Sequence, residues 1–293
     1  MGNPVDAGRV AGEDCPVNPR LALALVVLLV GCGGETAAQA PAQRPGSLGS
    51  TFVTGHPATG LAVERPGKRV DLVGLDGHVY ARLPGVQLGY VAEPGRVILR
   101  EREQQWLFRP RTGTFVEYAP KRLRPRIGCQ VASKRGATRL FLCSPKPESA
   151  GLLPLPRTIE LAATGASRRV LAGPPFPSPA PDVGPVGHWM SAQLSPDAHT
   201  VLAQWSAECE VPTAFLIAVA GGAPRPVAGT LREQPESVGL GWNPDGQAVV
   251  FLPTGACGTG YDGPGIYLVS TDGKPLRAIV KGRDIRGAAL WTS

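Results

Sequence analysis

The apolar residues of this chain fall in short segments rather than in long helical stripes. Beyond residue 50, runs of four to eight apolar residues are bounded by Gly, Pro, Asp or Asn, and no long stretch repeats every 3.6 residues. Such runs are typical of β-strands, and the bounding residues are typical of tight turns. The pattern predicts an all-β domain with strands such as Phe215–Val219 and Ile266–Val269.

Composition agrees with this pattern. Gly (38) and Pro (31) are abundant among the 293 residues, as expected where many strands are joined by turns. Residues 51–293 suffice for one sizeable all-β domain.

An internal repeat supplies the fold signal. Leu194–Leu202 matches Trp242–Val250, and each copy runs strand, Pro-Asp turn, strand. Each copy continues into a second hairpin, with turns at Gly221-Gly222 and Asp272-Gly273. Weaker relatives of this second hairpin have their turns at Asp76-Gly77, Thr112-Gly113 and Thr164-Gly165.

Two hairpins per unit predict a four-stranded antiparallel blade. The turns Ser195-Pro196-Asp197 and Asn243-Pro244-Asp245 resemble those of the TolB family of β-propellers, and that resemblance implies a toroid of about six blades. Five second hairpins are present, so we expect five or six blades. Gly287–Trp291 is expected to be a last strand that pairs with the first unit and closes the ring. A β-sandwich is the alternative, but it leaves the repeated Pro-Asp turns without an explanation.

A separate pattern lies near the start of the chain. Arg20 precedes the apolar run Leu21–Val30, which is long enough for the core of a secretory signal and too short for a transmembrane helix. The following Leu29-Val30-Gly31-Cys32 resembles the lipobox of bacterial lipoproteins, which implies cleavage before Cys32 and a thioether-linked diacylglycerol on its sulfur. The alternative is a short buried segment that ends in Gly-Cys.

The predicted organisation has three parts: a signal peptide over 1–31, a lipidated Cys32 with a flexible linker to residue 50, and a propeller over 51–293. Met1–Pro16 is long and acidic for the start of a signal, which favours translation from Val17. Two acyl chains on one residue provide stable anchoring. We therefore expect a lipid-anchored protein on the extracytoplasmic side of the cell membrane.

The predicted organisation separates two cysteines near the start of the chain from those of the exported domain. Cys15 lies in the leader and Cys32 is the lipid site, which leaves an even number in the exported domain and predicts disulfides. Cys129 and Cys143 flank Gly136 symmetrically, so we expect them to pair across a hairpin. Cys209 and Cys257 occupy equivalent positions in the two repeats, and we expect them to link neighbouring blades. A zinc site is the alternative, without a CxxC motif or a His cluster to favour it.

No catalytic residue, metal or cofactor is assigned. Gly258–Gly263 has the spacing GxGxxG, but Pro264 and a predicted strand follow where a dinucleotide site needs a helix. The Asp residues of the turns are explained by turn formation. A pair of glycosidase carboxylates among Glu208, Glu210 and Asp262 stays open as an alternative.

Two surfaces are candidates for binding. Lys121, Arg122, Arg124 and Arg126 form a basic run in a chain of net charge +7, and an anionic membrane or wall polymer would attract it. A solvated blade edge is the alternative. The other surface is the predicted ligand face of the toroid, on the connections that follow the second strands. Its residues are Glu208, Glu210, Tyr261 and Asp262.

We expect a non-catalytic protein that binds a protein, peptide or cell-wall ligand, and no nucleic acid. Two alternatives stay open: an extracytoplasmic hydrolase or lyase that uses the central cavity, and a sensor domain for a membrane partner. The sequence leaves the oligomeric state open.

Overall fold

The chain folds into strands joined by turns. The computed structural model describes residues 47–89, 95–119, 128–145, 155–176, 187–206, 212–228, 236–253, 261 and 263–292. Within these ranges the helical structure is one 3₁₀ turn at Leu48–Ser50. No helix in this described part is long and apolar enough to cross a membrane. The predicted signal peptide, Val17 and Cys32 lie outside the described residues.

Twenty strands form five four-stranded antiparallel sheets in the described ranges. The first sheet holds β1 (Thr59–Arg65), β2 (Arg69–Gly74), β3 (Val79–Pro84) and β20 (Gly287–Thr292). The second holds β4 (Val86–Leu88), β5 (Ile98–Glu101), β6 (Gln104–Arg109) and β7 (Thr114–Glu117). The third holds β8 (Cys129–Arg135), β9 (Thr138–Cys143), β10 (Thr158–Ala163) and β11 (Arg169–Ala172). The fourth holds β12 (His188–Leu194), β13 (Thr200–Ser206), β14 (Thr213–Ala218) and β15 (Arg225–Pro226). The fifth holds β16 (Val238–Trp242), β17 (Ala248–Leu252), β18 (Gly265–Val269) and β19 (Pro275–Lys281).

The strand order is that of a β-propeller. In the second to fifth sheets, four consecutive strands lie side by side in chain order. The first sheet has the order β20-β1-β2-β3, so a strand from the far end of the chain completes the first blade. The all-β propeller predicted from the repeats is confirmed, with five blades within the described ranges. The predicted pairing of the last strand with the first unit is also confirmed.

The ring closure is held by a tryptophan. Gly60 lies opposite Trp291 in the β1–β20 register. A Cβ on Gly60 would lie 2.3 Å from the Trp291 ring, so only glycine leaves room for the indole. Trp291 is fully buried, donates through Nε1 to the Pro57 carbonyl at 3.2 Å, and meets Phe108 edge to face at 5.2 Å. The closing strand is thereby fixed to both the first and the second blade.

Apolar clusters join neighbouring blades. One cluster spans the first and second sheets, one the third and fourth, one the fourth and fifth, and one the fifth and first. Side chains alternate along each strand, so a blade offers one face to each neighbour. This sandwiching of sheet faces explains why β13 and β17 are buried along their whole length.

An ion-pair network adds to the junction of the fifth and first blades. Asp71 on β2 is only 4% exposed and lies 3.1 Å from Arg69 Nε and 3.4 Å from Arg65 Nε. Arg65 also contacts Asp284, which follows β19, at 2.6 Å. Removing one partner of such a network leaves a buried charge uncompensated, which is costly.

The antiparallel order sorts the connections onto two faces. We call one side of the propeller the turn face; it carries the connections from the first to the second strand and from the third to the fourth strand of each blade. The loop face carries the connections from second to third strand and from blade to blade. The predicted Pro-Asp turns lie on the turn face, where Ser195 and Asn243 begin the β12–β13 and β16–β17 turns.

The hairpin disulfide is confirmed. Cys129 and Cys143 are directly opposite in the β8–β9 register, and their sulfurs are bonded. Closing a loop of about 15 residues stabilises a fold by about 3 kcal/mol in the chain-entropy model. The predicted partners Cys209 and Cys257 lie outside the described residues.

The described fold extends to Ser47, within the predicted linker. Leu48 is buried in the cluster of the first two blades, and its N–H donates to Glu101 at 3.1 Å. This contact fixes the start of the domain against the second blade.

Candidate functional site

The connections in which the sequence analysis predicted ligand residues begin and end on the loop face. β13 ends at Ser206 and β14 begins at Thr213, while β17 ends at Leu252 and β18 begins at Gly265. These strand ends belong to neighbouring blades and lie on the same face. Four of the predicted residues, Glu208, Cys209, Glu210 and Cys257, fall between these ends and lie outside the described residues, as does Asp262.

Tyr261 is the described member of the predicted ligand face. Its hydroxyl donates to the Val227 carbonyl of the fourth blade at 3.1 Å, and its ring meets Tyr267 edge to face at 4.9 Å. Burial, followed by the neighbouring Tyr267, raises the pKa of the Tyr261 hydroxyl. Tyr261 is therefore a neutral hydrogen-bond donor that links the fourth and fifth blades.

A histidine not assigned a role from the sequence also lies on the loop face. His188 begins β12, the innermost strand of the fourth blade, opposite Ser206. Arg157 of the third blade donates to the Gly187 carbonyl beside it. Burial, and then the Arg157 charge, lower the pKa of His188. Arg157 lies 30 residues before Gly187 and on another blade, so no sequence spacing signals this pairing.

This environment predicts a pH-dependent stability. Because the folded pKa of His188 lies below its ordinary value of 6.5, the unfolded chain takes up the proton first as the pH falls. The contribution of His188 is complete above pH 6.5 and declines as the pH drops from there toward the folded pKa. We expect the unfolding free energy to fall between pH 7.5 and 5 in the native protein, and less steeply in His188→Asn. Urea unfolding at several pH values measures both slopes, and equal slopes would contradict the assignment.

A Ser, Asp and His meet on the turn face. The Ser195 hydroxyl donates to Asp197 Oδ1, and His199 Nδ1 lies 3.5 Å from Asp197 Oδ2. In a hydrolytic triad the His lies between the Ser and the Asp, whereas here the carboxylate lies between the other two. The buried Ser195 Oγ also accepts the Thr200 N–H at 3.0 Å. These contacts stabilise the turn and do not activate the serine.

The turn at Ser270 repeats this arrangement. The Ser270 hydroxyl donates to Asp272 and accepts the Lys274 N–H at 3.1 Å. The Ser270 hydrogen bond and the Lys274 side chain lower the pKa of Asp272 to about 2. Asp76 accepts the His78 N–H at 3.0 Å in the same manner. The interpretation of these acids as turn residues is consistent with each hydrogen bond.

One cluster has the residue types of a metal site. Cys129, Cys143 and Glu160 lie together on the third blade, with Glu160 Oε2 3.8 Å from the Cys129 sulfur. Both sulfurs belong to the disulfide, so neither provides the thiolate that a metal requires. The cluster leaves one carboxylate, which is too few ligands for a structural site.

Charge is unevenly spread along the blades. The segment Val86–Ala172, which contains the second and third blades, holds 16 of the 30 Lys and Arg residues and only 6 of the 23 acids. The predicted basic run, Lys121, Arg122, Arg124 and Arg126, connects these two blades and lies outside the described residues. The second and third blades therefore lie in a strongly basic segment of the chain.

Comparison with known proteins gives distant matches of structure. No family model matches this chain, and no curated protein does. The chain is similar to a prolyl endopeptidase (12% identity, TM-score 0.36, 76% of this chain and 36% of that chain). It is similar to a gluconolactonase from Xanthomonas campestris (18%, TM-score 0.30, 73% and 69%). It is also similar to TolB from Acinetobacter baumannii (14%, TM-score 0.26, 80% and 66%).

This chain spans about a third of the length of the matched endopeptidase chain. The TM-scores are low, so the propeller assignment rests on the strand order and the ring closure described above.

Proposed function

We propose that this protein is a lipid-anchored, extracytoplasmic binding protein. A diacylglycerol on Cys32 holds it at the membrane, and its propeller binds a protein, peptide or cell-wall ligand without catalysing a reaction. The proposal takes its localisation from the lipobox-like segment and its binding surface from the propeller.

The loop face is the proposed binding surface because of where four strands end. The strand ends that flank the predicted ligand residues, Ser206 with Thr213 and Leu252 with Gly265, belong to adjacent blades and open onto one face. A face built from several connections on a rigid scaffold is the usual place for a binding site in such folds. The roles of Ser195, Asp197 and the disulfide in structure also favour binding over hydrolysis.

Site-specific photo-cross-linking tests this proposal in the acylated, membrane-bound protein. A photoreactive phenylalanine analogue replaces Leu155, an exposed residue between β9 and β10 on the loop face, and a matched variant carries it at the exposed His199 on the turn face. We expect discrete adducts of the Leu155 variant with an envelope protein or wall fragment, detected by mass spectrometry. Adducts of equal yield from both positions, or from neither, would count against the loop face as the binding surface.

A further inference from the structure

The junction between the second and third blades differs from the other four. Each of the other junctions contains an apolar cluster with residues from both sheets. Among the described residues, no such cluster spans the second and third sheets. In the described part of the chain, each of these two blades therefore has one sheet face that shares no apolar cluster with the other blade.

The free face of the third blade carries an exposed apolar row. Val131, Phe141, Glu160 and Val170 are paired in register across the four strands, on the face opposite the cluster shared with the fourth blade. Val131 is 59% exposed and Val170 is 60% exposed, although both are β-branched residues in strands. Covering such a row with apolar side chains would be favourable.

Beside this row lies a pair of like charges. Lys134 on β8 is directly opposite Arg139 on β9, and both are exposed. Like charges at directly opposite positions are unfavourable in a sheet. Arg168 adds a third cation, 5.4 Å above the Phe141 ring and 3.7 Å from Glu160. Glu160 has this cation beside it, and among the described residues neither Lys134 nor Arg139 has a carboxylate within ion-pair distance.

The face of the second blade that is turned away from the first blade has the same character. Arg100 on β5 and Arg109 on β6 are exposed on the face turned away from the first blade, and Leu107 and Val116 lie partly exposed between them. Arg100 donates to Gln87 at 3.0 Å rather than to an acid. The described residues of these two faces include one carboxylate, Glu160, and five cations: Arg100, Arg109, Lys134, Arg139 and Arg168.

We propose that these two faces form a docking surface for an acidic segment of a partner polypeptide that carries apolar side chains between its carboxylates. The junction surface is defined by Arg100, Arg109, Val131, Lys134, Arg139 and Val170. Carboxylates pair with the cations, and apolar side chains cover the valines. A polyanion without apolar groups would leave Val131 and Val170 in water. This surface is separate from the loop face, so its test and that of the proposed function fail independently.

The test uses a short fluorescein-labelled peptide that alternates glutamate and valine, with fluorescence anisotropy as the readout on the acylated protein in detergent. Lys134→Gln combined with Arg139→Gln is expected to weaken binding about tenfold. The matched control, Arg82→Gln with Arg277→Gln, removes two exposed cations from the first and fifth blades and is expected to change binding less than about twofold. Val131→Ser with Val170→Ser is expected to weaken binding of this peptide but not of polyglutamate.

A second variant separates binding from folding. Lys134→Glu places an acid opposite Arg139, so its urea midpoint is expected to equal or exceed that of the native protein while its affinity for the peptide falls. The proposal is overturned if the cation variants bind the peptide as the native protein does, or if polyglutamate binds equally well. Displacement of the peptide by vesicles of anionic lipid, or a dimer that these variants dissociate, would also overturn it.

Discussion

Replacing Trp291 with alanine is expected to lower the free energy of unfolding by about 3–5 kcal/mol. The indole is fully buried, packs on Gly60 and Phe108, and joins the closing strand to the first two blades. Alanine would leave a cavity where β20 pairs with β1 and would remove the hydrogen bond to the Pro57 carbonyl. Urea unfolding followed by circular dichroism measures the loss.

Two variants control this measurement. Trp291→Phe keeps most of the ring volume and is expected to lose less than the alanine variant. Leu276→Ala removes a half-exposed leucine on the outermost strand of the fifth blade and is expected to change stability by about 0.5 kcal/mol or less. A Trp291→Ala protein that unfolds at the native urea concentration would mean that β20 contributes little to closure.

Replacing Cys32 with serine is expected to abolish lipid attachment completely. Serine cannot form the thioether, so the variant carries neither acyl chain. Because each buried CH₂ of an acyl chain contributes about 0.8 kcal/mol to membrane binding, the variant loses the whole of this contribution. Cells grown with an alkyne fatty acid report attachment by in-gel fluorescence, and mass spectrometry of the N-terminal peptide reports cleavage before residue 32.

Cys15→Ser is the matched control, because Cys15 lies in the predicted leader and would be removed with it by the predicted cleavage. It is expected to retain full labelling. If Cys32→Ser still incorporates the fatty acid, the lipobox interpretation and the membrane part of the proposed function are both wrong.

The repeats were sufficient to predict the blades because each hairpin is local. The turns at Gly221, Asp272 and Thr164 each join strands that are adjacent in sequence, and turn chemistry marks such hairpins directly. The Cys129–Cys143 pair was predictable for the same reason. The closing strand was inferred from the incomplete last unit, since a single strand needs an edge to pair with.

The junction surface and the surroundings of His188 were not predictable in this way. The apolar row of the third blade unites Val131 and Val170, which are far apart in sequence and carry no common motif. Strand alternation tells which side chains share a face, but not whether a neighbouring blade covers that face. Likewise, the pKa of His188 is lowered first by burial and then by the charge of Arg157, which lies on another blade.

The pairing of β1 with β20 also has a consequence for the order of events during the proposed export. Pro57 and Trp291, which are joined by a hydrogen bond at the seam, are 234 residues apart. A chain that crosses the membrane from its N-terminus has the edge of β1 unpaired until β20 emerges, and such an edge is open to wrong pairing. In the proposed lipoprotein, Cys32 precedes β20 in the chain, so it would reach the membrane surface before the ring can close.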